Sequence, residues 1–164
     1  MKVIVKIIIL LALGTAPLYL SNAQNSEQIK KANNLMQQAG MQLLVHKNYE
    51  SASSLYEQAA TLYRGEYGND NRKYLEAIKG AADCYDKIGN TQLAIINYRK
   101  LLKSDDIWQT DYVCLQLARI YKQLGNIDAC IDVYTIGINQ YKRNGGRWNN
   151  NYYRIYKELY KLHY

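Results

Sequence analysis

Phenylalanine is absent from this chain, proline occurs once and histidine twice in 164 residues. A single Pro with ten Gly excludes collagen-like and low-complexity architectures. With 17 Tyr and no Phe, tyrosine must fill the aromatic packing positions, and each hydroxyl is expected to reach the surface or a backbone group. His46 and His163 fall at a helix end and at the chain end, where they read as solvated surface residues. No HExxH, GxSxG, P-loop or paired-carboxylate signature accompanies them, so no catalytic residue is assigned and a small helical hydrolase or transferase is disfavoured. Cys84, Cys114 and Cys130 lack CxxC or CxxH spacing, which assigns no metal site and no cofactor. Cys114 and Cys130 are expected to act as small buried apolar residues and Cys84 to lie on a helix face turned toward a neighbouring helix, with a Cys84–Cys114 bridge as the alternative.

Charge of one sign is not concentrated anywhere. The formal charge is +7, but Lys and Arg are interspersed with acids and form no block, which argues against nucleic acid as the partner. Long apolar runs are also missing. The longest, Ile7 to Leu13, spans seven residues, well short of the roughly 20 that cross a bilayer. It sits between Lys2 and Lys6 on one side and the small residues Ser21-Asn22-Ala23 on the other, the three-part pattern of a secretory signal. Residues 1–23 are therefore expected to be an export segment cleaved before Gln24, leaving a charge of +5 and a periplasmic or secreted chain. An uncleaved segment would be the only membrane attachment. No Cys lies near this site, which disfavours a bacterial lipoprotein anchor.

What the chain does contain is an internal repeat. Ala82, Tyr85, Gly89, Asn90, Ala94 and Tyr98 are followed 36 positions later by Ala118, Tyr121, Gly125, Asn126, Cys130 and Tyr134. A fixed period of this size marks stacked supersecondary units. Apolar residues within each unit recur every three or four positions, which predicts helices and no strand of comparable strength. A first helix opens at Asn25, with Gln28 placed to complete a capping box, buries Ile29, Ala32, Met36, Ala39 and Leu43, and stops near His46 to Asn48. A second runs over about Tyr49–Tyr67 and ends at the Gly68-Asn69-Asp70-Asn71 turn. Further helices are predicted over about Lys73–Ile88, Gln92–Lys103, Gln109–Leu124, from after Asn126 to about Arg143, and Asn150–His163. In the last of these, Tyr152, Ile155, Tyr156 and Leu159 share one face.

The arrangement resembles the tetratricopeptide repeat family. Small residues Gly40, Ala82 and Ala118 on first helices precede Leu43, Tyr85 and Tyr121, and Ala52, Ala94 and Cys130 on second helices precede Tyr56, Tyr98 and Tyr134. Asn48, Asn90 and Asn126 occupy equivalent turns. The interval from Ala52 to Ala94 is 42, similar to the longer repeats of kinesin-light-chain type. No Trp stands at the first large position, which holds Met36, Ile78 and Cys114, and Lys47 replaces the turn glycine of the other units. The resemblance implies an all-α, right-handed α-solenoid of about three helical hairpins, over about 31–70, 73–106 and 109–143, with a capping helix over 150–163. It further implies a protein or peptide partner held in a concave groove lined by first helices. Mapped onto this chain, that groove comprises Gln37, Met41, Lys79, Asp83, Asp86, Tyr112, Leu115, Gln116, Arg119 and Lys122. The positions at which some members grip a C-terminal carboxylate hold Gln37, Met41, Gly80, Tyr112 and Gln116, so that grip is not expected here. The expected function is a non-enzymatic exported scaffold or adaptor. The alternative is the N-terminal sensory module of a truncated larger signalling or protease-like protein. Aromatics beyond those one cap face needs, Tyr153, Tyr160 and Tyr164, suggest a second contact surface at that end.

Overall fold

The computed structural model describes residues 25, 27–104, 106, 109–145 and 149–163. The expected export segment, Arg147, Trp148 and Tyr164 lie outside the described residues, as does the side chain of His163. Among the described residues seven helices follow one another: α1 (27–44), α2 (Tyr49–Tyr67), α3 (Arg72–Lys87), α4 (Thr91–Lys103), α5 (Thr110–Gln123), α6 (Ile127–Arg143) and α7 (Asn150–His163). No strand occurs among the described residues. The bounds of α2 to α7 fall within one residue of those the periodicity predicts. From α2 onward each helix packs on its neighbours in sequence, and α7 also touches α5. That nearest-neighbour order is the all-α solenoid expected of stacked hairpins.

The turns show why the units repeat. The side chains of Asn48, Asn90 and Asn126 each accept a hydrogen bond from the backbone N–H three residues on, at Ser51, Leu93 and Ala129 (3.0, 3.2 and 3.0 Å). Each satisfies one of the donors that a helix start leaves open. Gly89 and Gly125 precede two of these caps with φ of +76° and +70°, and Lys47 takes the same left-handed conformation at +54°. The first unit thus keeps the turn geometry without the glycine that makes it easy.

The core is built as the spacing demands. Ala32, Ala39, Ala52, Ala59, Ala82, Ala94 and Ala118 are fully buried, and Tyr56, Tyr63, Tyr85, Tyr98, Tyr121 and Tyr134 fill the space around them. Small residues let backbones approach and the large rings occupy what remains. At Gly137 this is quantitative: a β-carbon there would lie 2.5 Å from Cys114 Sγ and 3.0 Å from Ile155 Cδ1. A small side chain on α5 and none on α6 allow α5, α6 and α7 to meet. All three cysteines are buried free thiols, so the Cys84–Cys114 bridge does not form.

Two sequence expectations need correction. The tyrosine hydroxyls do not go only to the surface or the backbone. Those of Tyr63, Tyr98 and Tyr112 donate to the side chains of Asn33 and Asp83. On α7, Ile155 is fully buried and Tyr152 and Leu159 half-buried, but Tyr156 is 49% exposed. The capping helix meets α5 and α6 on one side only, and Tyr156 sits beyond that seam, stacked on Tyr152 at 6.0 Å.

Candidate functional site

Three helices converge on the carboxylate of Asp83. Lys79, one turn earlier on α3, donates from Nζ to Oδ2 at 2.8 Å. Tyr98 on α4 and Tyr112 on α5 both donate their hydroxyls to Oδ1, at 2.6 and 2.9 Å. Lys79 Nζ also lies 4.3 Å from the centre of the Tyr112 ring. Bonds to an ionised acceptor are stronger than neutral ones, so this node ties the second hairpin to the third. Burial first, and the Asp83 charge second, raise both phenols; Tyr112 is pushed up to about 12 and Tyr98 further still. Both are neutral donors at any physiological pH.

One turn along α3, Asp86 accepts from Nη2 of Arg119 on α5, a second bond between the two hairpins. Arg119 is also held within α5, donating from Nε to Gln116 Oε1 (3.2 Å) and from Nη1 to Gln123 Oε1 (3.3 Å). Three of its five N–H groups are spoken for and two remain. The guanidinium is therefore fixed in place while still able to donate.

Asp83, Asp86, Tyr112, Gln116 and Arg119, five of the residues the sequence placed in a groove, line one recess of about 460 Å³. Lys87 and Tyr98 complete its wall. The other expected residues lie elsewhere. Lys79 supports the recess through Asp83 and Tyr112. Gln37 and Met41 are exposed on α1, outside it. Leu115 is half-buried against the core. Lys122 is exposed near Glu158 of α7, whose carboxyl is held below its usual value chiefly by its hydrogen bond from Lys161, with Lys122 contributing.

Tyr98 was missed because its position on a second helix reads as core, and its ring is indeed buried. Only its hydroxyl crosses to the recess. Lys87 could have been found, because it follows Asp83 by four residues on the same helical stripe. Chemically the recess offers unspent donors on Arg119, Gln116 and Lys87 and an unspent acceptor on Asp86. Nothing in it is poised as a nucleophile. Burial holds the nearby Cys84 thiol up at about 11, so it stays protonated near neutrality.

The tetratricopeptide repeat pattern matches residues 30–106 and again 112–135, together more than half of the chain. The chain belongs to the tetratricopeptide repeat family. Its repeats make it a protein–protein interaction scaffold, in a family that is generally non-enzymatic. No curated protein matches it in sequence. Among solved structures, the crystal structure of BtubC (BKLC) from P. vanneervenii is similar at 19% identity and a TM-score of 0.45. The likeness covers 87% of this chain and 64% of that one, so the chain spans less than two thirds of that structure's length.

Proposed function

We propose that this protein is an exported, non-enzymatic scaffold that holds an extended segment of a protein partner across the recess between α3, α4 and α5. The observation that carries this reading is the pair of cross-hairpin bonds, Asp83 with Tyr112 and Asp86 with Arg119. They hold Arg119 and Gln116 in fixed positions with donors left over, beside an acceptor on Asp86. An extended backbone presents carbonyls and amides in alternation, and a surface with preset donors and acceptors meets it at low ordering cost.

Affinity capture from an extract of the source cells tests the site, with wild type, Arg119→Glu and Lys142→Glu on α6 as baits. A partner recovered by wild type and Lys142→Glu and lost with Arg119→Glu supports the recess. Equal recovery by all three moves the binding surface elsewhere. Export has its own test: N-terminal sequencing of the mature protein should begin at Gln24, and recovery of Met1 in a membrane fraction would refute cleavage.

A further inference from the structure

A second cleft shares no residue with the recess just described. It lies at the opposite end of α3, about 18 Å away along the helix axis from the rise of roughly 1.5 Å per residue between Tyr74 and Asp86. One part, of about 370 Å³, is bounded by Arg64, Asn69, Asp70, Tyr74, Lys100, Lys103 and Ser104. A smaller part of about 140 Å³ shares Arg64, Tyr74 and Lys100 with it and continues toward Ala60 and Ile78. The two parts adjoin along these three shared residues.

Its charge is unlike that of the first recess. Arg64 from the last turn of α2 and Lys100 and Lys103 from the last turn of α4 bring three cations to one wall. Such residues favour helix C-termini in any case, because they complement the dipole. Two further features go beyond that. Lys100 Nζ is held by Asn97 Oδ1 at 2.9 Å, and Asn97 is buried and itself anchored by donating to Leu93 O at 3.1 Å. Neutral donors, Asn69, Tyr74 and the Ser104 hydroxyl, line the same space. Two acids belong to the cleft. Asp70 lines the larger part, and Glu57, which lines the smaller part, receives the Tyr85 hydroxyl. Arg72 and Asp106 pair with each other at 3.1 Å. Arg64 and Lys103 make no ion pair among the described residues. The lining of the larger part therefore carries a net charge of +2, and the two parts together +1.

We infer that this cleft binds a phosphate monoester on a sugar-sized molecule. The charge count selects the chemistry: a phosphoryl group carries about −1.5 to −2 at pH 7 and three strong acceptor oxygens. A carboxylate or a sulfate ester supplies a single charge. Cations arriving from two helices, with hydroxyl and amide donors between them, suit a tetrahedral group better than a planar one. The smaller part, floored by Tyr74, Ala60 and Ile78, is where the body of the ligand lies.

Isothermal titration of the intact chain at fixed ionic strength tests this, with glucose 6-phosphate and glucose 6-sulfate as probes. Saturable binding of the phosphate ester is expected, with the sulfate ester several-fold weaker. The exposed pair change Arg64→Gln/Lys103→Gln should weaken the phosphate ester by about tenfold or more, the usual effect of losing charge-assisted donors. Arg119→Gln, in the other recess, should leave it unchanged. Amide NMR shifts on titration should fall within 64–74 and 97–104 and spare 83–87 and 112–119. No saturable binding overturns the inference. So does equal affinity for the two esters, undiminished affinity in the double variant, or shifts centred on Arg119.

Discussion

Asp83 accepts from three side chains on three helices, and its partners differ in what they can lose. Tyr98→Phe keeps the ring and removes one donor to a charged acceptor, which should cost about 1–2 kcal/mol in chemical denaturation. No change would mean that water replaces the phenol without penalty. The raised phenols and thiols predict an alkaline limit. Tyr112 and Tyr134 are pushed up to about 12 and Cys114 to about 12, chiefly by burial, from unfolded values of 10.0 and 9.0. A group whose folded pKa lies above its unfolded one stabilises fully below the unfolded value and loses that contribution as pH rises toward the folded one. Stability should therefore hold to about pH 9 and fall steadily between pH 9 and 12. Denaturation midpoints at pH 8, 10 and 11 read this directly, and a flat series would contradict it. The same thiols should resist a thiol reagent in the folded protein. All three should react after unfolding, equally with and without reductant.

At the scale of the element, the three asparagine caps are the most regular feature of the chain. Asn90→Ala should cost about 1 kcal/mol, and combining it with Asn126→Ala should add nearly independently, since each serves its own helix start. Lys47 tests the reverse. Lys47→Gly should raise stability by about 0.5–1 kcal/mol by relieving a left-handed residue, less the entropy glycine adds to the unfolded chain. Gly137 marks where three helices crowd. Gly137→Ala should cost about 1–3 kcal/mol by overpacking against Cys114. Cys114→Ala in the same chain should recover part of that loss, because it removes the sulfur the new methyl meets. Additive costs in the double variant would show that Ile155, not Cys114, sets the limit.

At the scale of the whole molecule, stability is a sum over hairpins and the seams between them. The α7 helix closes the last seam by placing fully buried Ile155 against α5 and α6. Ending the chain after residue 145 should bare that seam, lower the melting temperature by several degrees and raise binding of an apolar dye. An unchanged melt would show that α6 ends the stack by itself. The seam between the second and third hairpins is different in kind. It is crossed by the Asp83–Tyr112 and Asp86–Arg119 bonds as well as by apolar contact, so changes there should alter the recess and the stacking together.

Local rules determined the helices, their caps and the units they build. A 36-residue echo, an asparagine at each turn and small residues three or four positions from large ones act within one helix or between adjacent ones. Nothing distant is needed to read them. The recess was half legible: spacing puts Asp83, Asp86, Gln116 and Arg119 on outward faces of their helices, and the family resemblance implied that those faces line a groove. Tertiary structure decided what those residues do to one another. Asp83 and Tyr112 are 29 positions apart and Asp86 and Arg119 are 33 apart, and no periodicity says that one will accept from the other. The cleft at Arg64 and Lys103 depends on where the ends of two separate helices come to rest. A one-dimensional pattern fixes which side of a helix a residue occupies, whereas the distance between two helices is set only by how their side chains pack.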